Sequence, residues 1–162
     1  MNRPLMIVVA LSAGVACYAS ALRGQDAQDA MITKPFLILK STPNYDEALA
    51  AAREAAKDLG VALALRHLSP NATSGLTLPR KDCFDAVAGR IDWPCYYARG
   101  RFDDGAYVSI EYSSAYKEFR GGQYIVIGAS GTAVTRALVK KAQRFVPDAY
   151  VKSTKVYLGC MH

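Results

Sequence analysis

Phe36-Leu37-Ile38-Leu39, followed by Ser41-Thr42-Pro43-Asn44 and then by 15 residues of helical period, decides the reading of this chain. Four apolar residues in a row suit a strand buried on both faces. Asn44 is placed to cap the next helix, with Glu47 three residues on as in a capping box. Over 45–59, Tyr45, Ala48, Leu49, Ala52, Ala55, Ala56 and Leu59 fall on one side, and Asp46, Glu47, Arg53, Glu54, Lys57 and Asp58 on the other. Gly60 is a stop signal. Val61 to Leu68 then reads as a second strand.

The same order returns 88 residues later. Tyr124-Ile125-Val126-Ile127 is a strand and Gly128-Ala129-Ser130-Gly131-Thr132 a break. A helix follows at about 133–145, with Val134, Leu138, Ala142 and Phe145 on one face, and Ala149 to Leu158 is the last strand. Between the halves, Tyr107 to Tyr112 alternates. Val108, Ile110 and Tyr112 share one face, and Tyr107, Ser109 and Glu111 share a face expected to be wet. Gly121-Gly122 marks a turn, so this strand is expected to pair antiparallel with 124–127.

The two halves, FLILKST–helix–LALRHL and YIVIGASG–helix–AYVKSTKVYL, resemble the half-units of the sporulation-related repeat. That family is a small βαββαβ module, similar to a ferredoxin-like fold, found in exported bacterial envelope proteins. The resemblance covers 36–68 and 123–158. It implies an α+β fold, two βαβ-like units forming an antiparallel sheet backed by two helices, and a peptidoglycan glycan as ligand. It carries over no individual residue. The chain departs from the family pattern in that 54 residues with two cysteines, rather than a short turn, separate the halves.

The remaining sequence fits export. Arg3 precedes an apolar run, Leu5 to Ala19, and Ala19-Ser20-Ala21 offers the small residues a signal peptidase reads. Residues 1–21 are therefore expected to be a signal peptide, 22–33 a flexible leader and 34–162 one domain, periplasmic or secreted. Lipidation at Cys17 is the lesser alternative, because Gly14 stands where a lipoprotein box has Leu. No later apolar run has the roughly 18–20 residues of a membrane helix. Of the remaining cysteines, Cys83, Cys95 and Cys160, the first two flank an irregular stretch where a disulfide is expected, although three pairings are open. With no CxxC pair and two distant histidines, no metal or other cofactor is expected.

Four features invite a functional reading. Arg99-Gly100-Arg101-Phe102-Asp103-Asp104-Gly105 reads as a binding loop or as a charged turn. Trp93, Tyr96, Tyr97, Tyr107, Tyr112, Tyr116 and Phe119 read as stacking or core residues, with Tyr107, beside Glu111, the surface candidate. Gly128 to Thr132 before a helix lacks nucleotide motifs and reads as a connector. Arg136, Lys140 and Arg144 form one helix stripe, with Lys152 and Lys155 beyond it. Of 162 residues, 20 are basic and 14 acidic; 22–133 is neutral, and 134–162 carries six cations against Asp148 alone.

Together these residues point to a non-enzymatic exported envelope protein that binds through its sheet face and basic edge, using Arg99, Arg101, Tyr107, Glu111, Arg136, Lys140 and Arg144, and the resemblance to the sporulation-related repeat implies peptidoglycan glycan as its ligand. The competing reading is a periplasmic immunity or inhibitor protein that plugs a toxin or hydrolase. A third is a hydrolase using Asp103, Asp104 or Glu111. Export argues against nucleic acid as partner.

Overall fold

The structure is a computed structural model that describes residues 31–85, 89–90, 92–100 and 103–157. The expected signal peptide, Cys17, Arg101 and Cys160 lie outside the described residues. In chain order the elements are strand β1 (Met31–Thr42), helix α1 (Tyr45–Leu59), hairpin β2 (Ser69–Asn71) and β3 (Gly75–Thr77), hairpin β4 (Phe84–Asp85) and β5 (Gly89–Arg90), then β6 (Ser109–Tyr112), β7 (Tyr124–Ser130), α2 (Arg136–Gln143) and β8 (Tyr150–Tyr157). The fold is α+β, as the sequence indicates.

β6, β7, β1 and β8 form one sheet in that order, with every pair antiparallel. The leading strands of the two halves, β1 and β7, pair at its centre. That explains the apolar run at 36–39. Leu37 and Leu39 pack under the helices with Ala52, Leu59, Val126 and Ala142. Phe36 and Ile38 pack on the other face with Tyr116, Ile127 and Val156. Each such side chain contributes about 2 kcal/mol by leaving water.

The helix α1 begins and ends where its caps place it. Asn44 Oδ1 accepts the N–H groups of Asp46 and Glu47, and Gly60 takes the left-handed conformation at φ 63°. The expected capping box is rerouted. The Glu47 carboxylate takes the Thr42 hydroxyl at 2.7 Å, and Thr42 Oγ1 in turn accepts the Asn44 N–H. Lys141 on α2 donates to the Leu59 carbonyl at 2.7 Å, placing a cation at the negative end of α1.

Four expectations change. β1 starts at Met31, inside the segment read as leader, because 31–35 pair with the end of β8. The strand expected at 61–68 contracts to one parallel bridge, Leu63 to Val108, and the chain turns at Arg66 and His67, which both have positive φ. The sheet position next to β7 goes instead to β6. The helix expected at 133–145 shortens to α2, since Gly131–Ala133 forms a tight turn and Thr135 caps the helix by accepting the Leu138 N–H. Phe145, expected on the buried face, is half exposed.

The fourth change matters most for function. The sheet face opposite the helices is not open. Residues 96–100, 103–107 and 113–119 lie over it, and Ser109 and Glu111 of β6, expected to be wet, are fully buried beneath them. A Cys83–Cys95 disulfide anchors this cover. The Leu78 N–H donates to the Cys95 carbonyl, the Cys95 N–H to Thr77 Oγ1 and Trp93 Nε1 to the Leu78 carbonyl.

Candidate functional site

Arg99 and Glu111 organise the cover. Arg99 is 2% exposed. Its Nη1 donates to the Tyr107 carbonyl, Ser109 Oγ and the Ile127 carbonyl, and its Nη2 to the Gly105 carbonyl. The guanidinium lies 3.6 Å from the centre of the Tyr107 ring, and Arg99 Nε is 3.2 Å from the Asp103 carboxylate. A guanidinium suits this role because its donors fan out in a plane. Glu111 accepts from Arg66 Nη2 at 2.5 Å, the Tyr96 hydroxyl at 2.5 Å and the Arg99 N–H at 3.0 Å. Burial opposes the Arg66 charge, but Glu111, Tyr96 and Tyr107 together raise the guanidinium above its usual range. Burial first, and Glu111 second, push the Tyr96 hydroxyl well above the ordinary tyrosine range.

The expected site residues therefore separate. Arg99 and Glu111 are spent internally and face no solvent. Tyr107, the expected surface aromatic, lies against Arg99 and donates its hydroxyl to Asp103. Burial and this hydrogen bond raise its hydroxyl to about 12. Tyr116 and Phe119 belong to the cover and join the core on that face, and Tyr112 packs on the ring of Tyr124. The connector at Gly128 to Thr132 is closed too: the Ser130 hydroxyl donates to the Asp103 carbonyl and its N–H to the Gly105 carbonyl.

The carboxylates do not gather. Asp103 is held by Tyr107 and the Gly105 N–H, Asp104 by Lys34 at 2.6 Å, and Glu111 as described. Two neighbouring aspartates thus point to different partners, whereas acid/base chemistry on a glycosidic bond needs two carboxyl groups facing one bond. Among the described residues, no group of three His, Cys, Asp or Glu is arranged to hold a metal ion.

A cleft of about 340 Å³ lies between the outer ends of β1 and β8 and the cover. Met31, Tyr97, Ala98, Lys155 and Tyr157 are among its walls, with the Arg99–Tyr116 contact at its floor. Met31, Tyr97 and Tyr157 are each more than a third exposed. The sequence signal for this cleft was partial. Tyr97 and Lys155 stand out by type, but Met31 reads as part of the leader, and nothing local brings the two strand ends to Tyr97. The basic stripe is real: Arg136, Lys140 and Arg144 are exposed, and among the described residues none of the three forms an ion pair.

Among the described residues, no helix is long and apolar enough to cross a membrane. Compared with family models, with curated proteins and with solved structures, the chain matches none.

Proposed function

We propose that this chain is an exported, non-catalytic envelope protein that binds peptidoglycan glycan strands in the cleft between Tyr97, Met31, Lys155 and Tyr157. The observation that carries the reading is the cleft itself. It has the size of a small-ligand site, for which about 300–1,000 Å³ is usual, and aromatic rings stand at its rim. Sugar rings stack on such faces, and Lys155 supplies a cation for the carboxylates that peptidoglycan carries. The buried Cys83–Cys95 disulfide supports an oxidising compartment. Binding by an open sheet face is set aside, since the cover occupies that face.

Sedimentation with isolated sacculi tests this reading. The purified protein is expected in the pellet, and protein that stays in the supernatant overturns the proposal. A single stoichiometric protein recovered from envelope extract, with no pelleting, would favour the inhibitor reading instead.

A further inference from the structure

β8 is an edge strand: among the described residues it pairs with β1 on one side and with no strand on the other. The Lys155 N–H donates to the Glu118 carboxylate at 3.1 Å, so it points away from β1. Hydrogen-bonding direction alternates along an antiparallel strand. The N–H and C=O groups of Val151 and Ser153 therefore point outward as well. The position of Pro35 agrees, since it faces Ser153 and has no N–H to exchange with it.

The helix-side face of this edge carries Val151, Ser153, Lys155 and Tyr157, all exposed. Val151 is assigned to that side by its partner Leu37, which packs under the helices. The exposed stripe Arg136, Lys140 and Arg144 belongs to the same layer. An exposed edge of this kind is ordinarily blocked. Here the block is Glu118, whose carboxylate also takes the Thr154 hydroxyl. A carboxylate already sits on the edge and shows the kind of acceptor the edge holds.

We propose that β8 docks an extended acidic peptide segment of another protein by strand addition. The incoming backbone pairs with Val151 and Ser153, displaces Glu118 at Lys155, and sets its carboxylates toward Lys155 and the α2 stripe. Charge selects the partner. A second copy of this chain would bring two ends of net +5 together over residues 134–162, whereas an acidic segment meets them with opposite charge. This surface centres on Val151 and Ser153, outside the cleft of the glycan reading, although Lys155 and Tyr157 border both.

Fluorescence anisotropy with labelled (Glu-Val)4 and (Lys-Val)4 peptides tests it on the full chain. The acidic peptide is expected to bind at least about tenfold more tightly than the basic one. Ser153→Pro removes an outward N–H without touching the β1 pairing, and is expected to abolish that binding. Glu118→Ala is expected to strengthen it. Tyr97→Ala is expected to leave it unchanged, so a failure of the glycan reading remains separable. Equal binding of the two peptides overturns the proposal, as does full binding by a folded Ser153→Pro. If that variant does not fold, Lys155→Glu with Arg144→Glu decides: unchanged binding overturns it. Self-association of the wild type that either variant abolishes would assign the edge to a second copy and also overturn it.

Discussion

Glu111, fully buried on β6, accepts the backbone N–H of Arg99 at 3.0 Å and so ties the cover to the sheet. The same carboxylate neutralises Arg66 and satisfies Tyr96. Glu111→Ala would leave three donors without their acceptor, one of them charged. Breaking a buried pair from one side costs about 3–5 kcal/mol. Urea denaturation is expected to show a loss of that size, and a loss below about 1 kcal/mol would mean that the pair behaves as a surface contact.

Gly75 shows the tightest tolerance in the first hairpin. Its φ is +76°, and a Cβ there would lie 2.2 Å from the Tyr112 ring. Its carbonyl accepts the Tyr124 hydroxyl at 3.0 Å. Gly75→Ala adds a left-handed strain of about 1–3 kcal/mol to that clash. Thermal unfolding is expected at a clearly lower temperature. An unchanged midpoint would show that the hairpin does not rest on Tyr112.

The hydroxyl of Tyr107 gives a prediction in pH. Burial, then its bond to Asp103, raises it to about 12 in the folded state, against an unfolded value of 10.0. Between these values the folded state holds the proton more tightly than the unfolded one. Its contribution to stability is therefore complete below pH 10 and is lost as pH rises through about 12. Tyr96 and Tyr116, raised well above the ordinary tyrosine range chiefly by burial, act in the same direction. Ultraviolet titration is expected to show a late group of tyrosines that ionise together with unfolding. A single transition near pH 10 for every tyrosine would contradict the buried placement.

The Cys83–Cys95 bond closes a loop of sequence separation 12. A loop of that size stabilises by roughly 3 kcal/mol in the chain-entropy model. Cys83→Ser with Cys95→Ser is expected to cost about that much. It also releases the cover strip that carries Tyr97, so sacculus binding should weaken more than denaturation alone predicts. Equal stability of the reduced and oxidised protein, measured in urea with and without a thiol reductant, would count against this anchoring role.

What was legible in the sequence was what local chemistry controls. The α1 boundaries follow from Asn44 and Gly60, and the central strands from apolar runs at 36–39 and 124–127. The disulfide followed from two cysteines around an irregular stretch. What failed were questions of which element lies beside which. Val61 to Leu68 has strand composition, yet β6 takes the place beside β7 and leaves those residues one bridge. Ser109 and Glu111 alternate as a wet face would. Periodicity registers polarity and cannot register that Arg99, Arg66 and Tyr96 come from elsewhere to satisfy them. For the same reason Arg99 and Tyr107 read as surface binding residues, although each is consumed by partners inside the molecule. The cleft was the least legible, because Met31, Tyr97 and Lys155 in its walls are each more than 50 residues from the next in the chain.

The central claim is that the cleft at Tyr97 holds a peptidoglycan glycan. Its most direct measurement is sacculus pelleting of wild type beside Tyr97→Ala, an exposed-site change expected to leave the fold intact. The account predicts that wild type pellets and that Tyr97→Ala, with an unchanged melting curve, stays largely in the supernatant. Equal pelleting of the two, or no pelleting of wild type, would contradict it.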